Sequence, residues 1–269
     1  MLFRSPGVSA ARYRLRDETP GYNTVNLAER YRPPLSRVVD AQGESRLALM
    51  GTDNLGRDVF SRIIRGATNS LRIALLSVAL ATVLGTFLGT VAGYVGGKAD
   101  NLIMRIMDLF FAFPAILLAM AIVAALGPGA NNTVLAIAVV YMPIFARVAR
   151  GPVLSVKGME FVTAARSVGV RDTRILGRHI LPNITAPLIV QISLALSWSI
   201  LTEAGLSFLG LGAQPPEPSW GSMLSEARSL LELAPWMSIY PGVAIMLCVL
   251  GFNLLGDGLR DVLDPRLRS

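Results

Sequence analysis

Long uncharged stretches alternate with short charged ones along most of this chain. Residues 73–95, 109–146, 184–202 and 235–256 carry no Asp, Glu, Lys or Arg, over 23, 38, 19 and 22 residues. About 20 residues at 1.5 Å rise are needed to cross the apolar core of a bilayer, so three of these runs have the length of one span. The run at 109–146 is too long for one and is divided by GPGANN at 127–132, a cluster of turn-forming residues. The pattern therefore predicts an all-α, polytopic membrane protein with five transmembrane helices, near 71–95, 104–126, 132–150, 184–207 and 236–256. Arg147 and Arg150 must then snorkel at the end of the third span. Residues 1–70 form an N-terminal extramembrane segment, 71–256 the membrane domain, and 257–269 a tail.

Between the third and fourth spans the pattern changes. EFVTAARSVGVRDTRILGRHILPN, 160–183, is polar and basic. Phe161, Ala164, Ala165 and Val168 recur at i, i+3, i+4 and i+7, the signature of one apolar helix face. Gly169 can supply a left-handed cap after it, Asp172 can N-cap a second short helix over 173–180, and Pro182 is expected to stop that helix. A small, charged helical knob is thus predicted in water.

The knob's pattern of Ala164, Ala165, Gly169 and then His179 to Pro182 resembles the EAA loop of ABC-importer permeases. Thr163 stands where that family most often has Glu, and His179 where it often has Ile; Glu160 does not fill the missing position. GTDNLGRDVFSRI (51–63), LSFLGLGAQPPEPSWG (206–221) and FNLLGDGLRDVLDPRLR (252–268) extend the resemblance, which points to the second permease subunit of the dipeptide, oligopeptide and nickel importers. The resemblance implies a type I ABC importer permease fold and a multi-pass protein of the bacterial inner membrane. It also implies four kinds of partner: a homologous permease subunit, two cytoplasmic ABC ATPase subunits, an extracytoplasmic solute-binding protein and membrane lipid. Loop 151–183 becomes the ATPase-coupling element, with Glu160, Ala164, Ala165, Gly169, Asp172, His179, Leu181 and Pro182 as its candidate residues. Which solute is carried, whether peptide, nickel chelate or other, is left open.

Composition agrees with the membrane reading: 52% of residues are hydrophobic, 16% charged, and the mean hydropathy is +0.52. Charge sets orientation. Residues 147–183 carry seven Lys or Arg against Glu160 and Asp172 and should be cytoplasmic, whereas 211–234 carries Arg228 against Glu217, Glu226 and Glu232 and should face out. Five crossings then put residues 1–70 outside, although Arg4, Arg12, Arg14, Arg16 and further arginines lie there without an apolar segment to export them. Related permeases have a sixth helix ahead of the segment matching 26–34; either the start of this sequence lies downstream of the true one or the chain is a natural variant, and the basic N-terminus favours the former. The pI of 10.2 is accounted for by these loops, and no nucleic-acid motif accompanies it.

The remaining features bear on packing. Gly85, Gly89 and Gly93 leave one stripe of the first span without side chains, for packing within the subunit or against a partner permease. GTDNLGRD supplies turns and an N-cap before Val59, or takes part in guiding cargo. In QPPEPSWG, Trp220 belongs to an interface belt or caps the translocation path. Asp108 is expected to pair with Arg105, and Glu203 either makes an interhelical hydrogen bond or lines a cavity. Trp220 and Glu203 are therefore the candidate path or gate residues.

Catalytic chemistry has no visible vehicle. One His, one Cys and no clustered carboxylates give no metal-ligand spacing and no nucleophile beside a base, so no catalytic, metal or cofactor residue is assigned. Gly97-Lys98 lacks the upstream Gly and the following Ser or Thr of a phosphate-binding loop. The sequence reads as a transport subunit rather than an enzyme. A self-contained secondary carrier or channel, with Glu203 and Asp108 in an ion path, is the alternative.

Overall fold

The computed structural model describes residues 22–39 and 45–263, so Arg4, Arg12, Arg14, Arg16 and the last six residues of the predicted tail lie outside the described residues. Nine α-helices are described: α1 (Val59–Val95), α2 (Gly97–Phe111), α3 (Ala115–Leu126), α4 (Ala130–Lys157), α5 (Glu160–Ser167), α6 (Asp172–Ile175), α7 (Leu181–Phe208), α8 (Trp220–Ala227) and α9 (Trp236–Leu263). A 3-10 turn, Leu27–Glu29, and a two-stranded antiparallel ribbon precede them. β1 (Ser36–Val39) pairs with β2 (Ser45–Ala48) in the register Ser36↔Ala48 to Val39↔Ser45.

Four helices are each long and apolar enough to cross a membrane, and α2 and α3 together make a fifth crossing if they count as one span. Those two helices are bent by 93° at the break around Ala112, Phe113 and Pro114. The straight helix expected over 104–126 is therefore corrected to two helices. Pro114 cannot donate a backbone hydrogen bond and disfavours helical φ/ψ at the residue before it. By contrast, Pro143, Pro152, Pro187 and Pro241 sit inside long helices, where neighbouring helices can accommodate them.

α1 has 37 residues, not the 25 expected. At 1.5 Å per residue it is about 55 Å long, well beyond an apolar core of about 30 Å. Its first turns, which carry Arg62 and Arg65, therefore project past the apolar layer. Asp58 caps it, accepting from the Ser61 N–H at 2.9 Å and the Ser61 hydroxyl at 2.6 Å.

The core forms where α1 lies on α4. An added Cβ at Gly85 would stand 2.4 Å from the Met142 carbonyl oxygen, at Gly89 2.0 Å from that of Ala146, and at Gly93 3.0 Å from the Val153 side chain. The glycine stripe thus faces α4 of the same chain, and the two backbones touch because nothing stands between them. Phe145, Ala149, Val153, Ile184 and Leu196 continue this core into α7. The outward faces of α2 and α9 stay apolar: Leu102, Leu109, Leu247 and Leu254 are all exposed. This is appropriate to a surface bathed in acyl chains.

Candidate functional site: the basic hairpin and the opposite end of the bundle

The hairpin leaves α4 at Gly158 and returns into α7. α5 ends in a Schellman motif: the Gly169 N–H donates to the Arg166 carbonyl at 3.0 Å and the Val170 N–H to that of Ala165 at 3.1 Å, with Gly169 at φ +78°. Val162, Ile175 and Ile180 are fully buried, and they seat the hairpin on Val153 and Val156 of α4. Ala165 packs against the same core, while Ala164 and Glu160 are exposed. Glu160 begins α5, where a carboxylate complements the helix dipole.

Three expectations change here. The buried face runs through Val162, Ala165 and Val170, leaving Phe161 and Val168 in solvent, the latter 80% exposed. Arg171 occupies the N-cap position of α6 and Asp172 its first turn, where the Asp172 carboxylate accepts from the Tyr94 hydroxyl instead of capping. Pro182 does not stop the second helix. A π-helical turn, Leu176–Ile180, joins α6 to α7, giving one helix from Asp172 to Phe208. Pro182 lies two residues past this π turn, and such a local change in backbone bonding lets a continuous helix accommodate a residue that has no N–H. Leu181 is exposed, and the His179 ring lies 6.2 Å from that of Phe161.

Tyr94, at the end of α1, belongs to no motif in the sequence. Its hydroxyl donates to Asp172 Oδ1 and accepts from Arg166 at 3.2 Å, while Lys157 Nζ donates to its carbonyl. Nearby, Arg150 makes a bidentate pair with Asp100 at 2.6 and 2.7 Å, and Arg147 pairs with Asp108 at 2.6 Å while stacking on Phe111. Asp108 is thus partnered across helices by Arg147, not by Arg105 one turn away. The two arginines expected to snorkel fasten α4 to α2 instead.

The opposite end is built from charges. Asp53 accepts from Arg57 at 2.6 Å and lies 3.5 Å from Arg62, and both arginines reach Glu226 of α8, at 2.9 and 3.0 Å. The Arg62 side chain is only 2% exposed. Arg65 Nε grips Glu217 at 3.0 Å, and Asn69 donates to the same carboxylate at 3.1 Å. Hydrogen bonds from Arg65 and Asn69 hold the Glu217 carboxyl below the usual carboxylate range. These contacts fix the connection 211–235 to the first turns of α1.

The candidate path residues fall in this same junction. Trp220 is 5% exposed; its N–H donates to Ser70 Oγ at 3.3 Å and its indole to the Ile63 carbonyl at 3.1 Å. It pins α8 to α1 and is no part of a lipid-facing belt. Glu203 is fully buried and accepts from Ser207 of its own helix at 2.6 Å. Spacing offered a signal for part of this cluster, since Asp53 and Arg57 stand four apart. Glu226 lies 164 residues from Arg62, so only folding could pair them.

Among the described residues, no group of three or more His, Cys, Asp or Glu is placed to hold a metal.

The model of the binding-protein-dependent transport system inner membrane component family matches residues 85–269. The dipeptide transport system permease protein DppC of Alkalihalophilus pseudofirmus is 52% identical over 228 residues, 85% of this chain and 75% of its own. The glutathione transport system permease protein GsiD of Pectobacterium atrosepticum is also 52% identical, over 85% of this chain and 76% of its own. Among solved structures, the inward-facing MetNI methionine ABC transporter shares the fold, with a TM-score of 0.64 at 17% identity, covering 77% of this chain and 98% of that one. The chain belongs to the binding-protein-dependent transport system inner membrane components, and is a permease subunit of an ABC importer in the bacterial inner membrane.

Proposed function

We propose that this subunit forms half of a translocation path for short peptides or a related small solute. A homologous permease supplies the other half, and two cytoplasmic ABC ATPases dock on the hairpin at 151–183. The observation that carries the solute class is the 52% identity, over most of the chain, to permeases named for dipeptide and glutathione transport. The docking assignment is supported by the hairpin's form: its inner face is seated on α4 and its outer face presents Phe161, Val168 and Met159 beside a basic rim. Exposed apolar residues rimmed by charge suit a protein partner. In this reading Glu160, Ala164, Gly169, His179, Leu181 and Pro182 shape the docking surface, and Ala165 and Asp172 hold it to the bundle.

The excess of basic residues supports a cytoplasmic hairpin, and in this reading residues 22–39, 45–58 and 211–235 at the other end meet the solute-binding protein. ATP chemistry belongs to the partners, because the Gly97-Lys98 pair lacks a phosphate-binding loop around it. The test is uptake by vesicles. The full-length subunit with its homologous permease, ATPases, binding protein and internal ATP should accumulate labelled dipeptide or glutathione. The subunit alone should carry none under a proton or sodium gradient. Saturable, gradient-driven uptake by the lone subunit would sink the proposal.

A further inference from the structure

α1 is fastened at both ends. At its outer end Arg62 and Arg65 hold Glu226 and Glu217 of the 211–235 connection. At its inner end a single side chain, Tyr94, meets both limbs of the hairpin: Arg166 from α5 donates to its hydroxyl, and that hydroxyl donates to Asp172 of α6. The end of α4 joins the same point, with Lys157 donating to the Tyr94 carbonyl and its ammonium 5.6 Å from the ring. Beyond Tyr94 and Val95 the helix stops at Gly96, which has φ +73°, and the chain turns into α2. No further turn of α1 reaches the hairpin, so the tyrosine makes the joint.

We propose that Tyr94 is the positioning residue that passes movement of the hairpin to α1, and through α1 to the outer connection. The proposal rests on the permease reading above. Its physical content is a rigid element with a directional hold at each end. α1 runs over 37 residues with no proline to kink it, and the glycine stripe keeps it flush against α4. The tyrosine hydroxyl is a donor to one limb and an acceptor from the other, so a shift of either limb is felt at the same atom. Val162, Ile175 and Ile180 seat the hairpin by apolar contact, which tolerates sliding; the hydrogen bonds to Tyr94 are directional and do not.

The experiment uses the assembled importer in lipid nanodiscs and in vesicles. Tyr94→Phe keeps the ring beside Arg166 and Lys157 and deletes the hydroxyl. Stimulation of ATP hydrolysis by loaded binding protein should fall tenfold or more, because two hydrogen bonds to charged side chains are lost and one alone corresponds to about tenfold. Solute moved per ATP should fall with it, while complex yield and hydrolysis without binding protein stay at wild-type levels. Asp172→Asn still accepts from the hydroxyl and should keep stimulation within about threefold of wild type, whereas Asp172→Ala, which leaves only the Arg166 bond, should lower it about tenfold, less than Tyr94→Phe. An assembled Tyr94→Phe importer with wild-type stimulation and stoichiometry would overturn the proposal. So would activity lost only in proportion to complex yield, since the tyrosine would then hold the fold and nothing more. A wild-type importer without ATP-dependent uptake would instead overturn the permease reading on which this one rests.

Discussion

The two ends of the bundle are joined to it by opposite means. The outer connection is held by Arg57, Arg62 and Arg65 on Asp53, Glu226 and Glu217, with Trp220 buried beside them. The hairpin rests on three buried aliphatic side chains and the hydrogen bonds of Tyr94, and it leaves Phe161 and Val168 in water. Asp53, Arg57 and Arg62 are buried together and resist being pulled apart, because separation leaves one of them desolvated and unpaired, while the partly exposed Arg65–Glu217 pair adds less. An apolar seat allows small displacements. The end that carries the connection 211–235 is therefore built to stay assembled, and the hairpin, in the proposed function, to be presented to another surface. Lesions at the two ends should accordingly fail differently, in folding at one and in coupling at the other.

The largest effect should follow from Arg62→Met. It leaves Glu226 with one arginine fewer and removes a nearly buried charge from Asp53, and breaking a buried pair typically costs about 3–5 kcal/mol. Thermal unfolding of the purified complex should shift down sharply, with loss of yield before any change in transport per assembled complex. Normal yield with impaired coupling would reverse the proposed division of labour. Next in size is Gly89→Leu, within the shared middle of the bundle. Its Cβ would meet the Ala146 carbonyl oxygen at 2.0 Å, a backbone atom that cannot rotate away. Overpacking of this kind costs about 1–3 kcal/mol, and here the upper end applies. Subunit yield in detergent should fall, and Gly89→Ala should show a smaller loss of the same kind.

The crossings, the hairpin and the family were legible in the sequence because each depends on residues close together along the chain. Uncharged runs report spans directly, and Ala164, Ala165 and Gly169 report the hairpin. What escaped depended on distant partners. Nothing in the sequence near Asp108 favours Arg147 over Arg105, 39 residues against three, yet the cross-helix arginine forms the pair. The buried position of Trp220 depends on Ile63 and Ser70, some 150 residues earlier. Two errors were local and instructive. Pro182 reads as a stop, but the π turn just before it lets the helix run on through the proline. Pro114 lies inside an apolar run that reads as one span, yet it stands at a 93° bend.

A smaller effect on stability, with a large one on function, is expected of Gly169→Val. Open space surrounds an added Cβ there, so no neighbour resists the side chain. The backbone does, since φ +78° is strained for a β-branched residue by about 1–3 kcal/mol. The Schellman closure between Arg166 and Gly169 would reopen and α5 would be misaimed. Membrane insertion and thermal stability should stay near wild type while ATP-dependent uptake falls several-fold. Insertion and uptake falling together would show the hairpin to be as structural as the outer clamp.

The smallest effect tests the clamp itself, through Glu217. Hydrogen bonds from Arg65 and Asn69 favour its charged form, so its folded-state pKa lies below the ordinary glutamate value of 4.5. A group whose folded pKa is depressed stabilises the fold fully above its unfolded pKa and loses that contribution as pH falls through the folded value. The grip on the outer connection should thus be constant from neutral pH down to about 5, fade as pH falls below the ordinary value of 4.5, and vanish under the lowered one. Glu217→Gln removes the charge at every pH. The difference in thermal midpoint between wild type and Glu217→Gln should therefore be small and flat above about pH 5, then close toward zero in stronger acid. High salt should shrink it as well, because the pair is partly exposed and screened by ions. A difference that persists unchanged in acid would mean that the glutamine is poorly accommodated for its shape, and that the Arg65 pair contributes nothing to holding the outer connection.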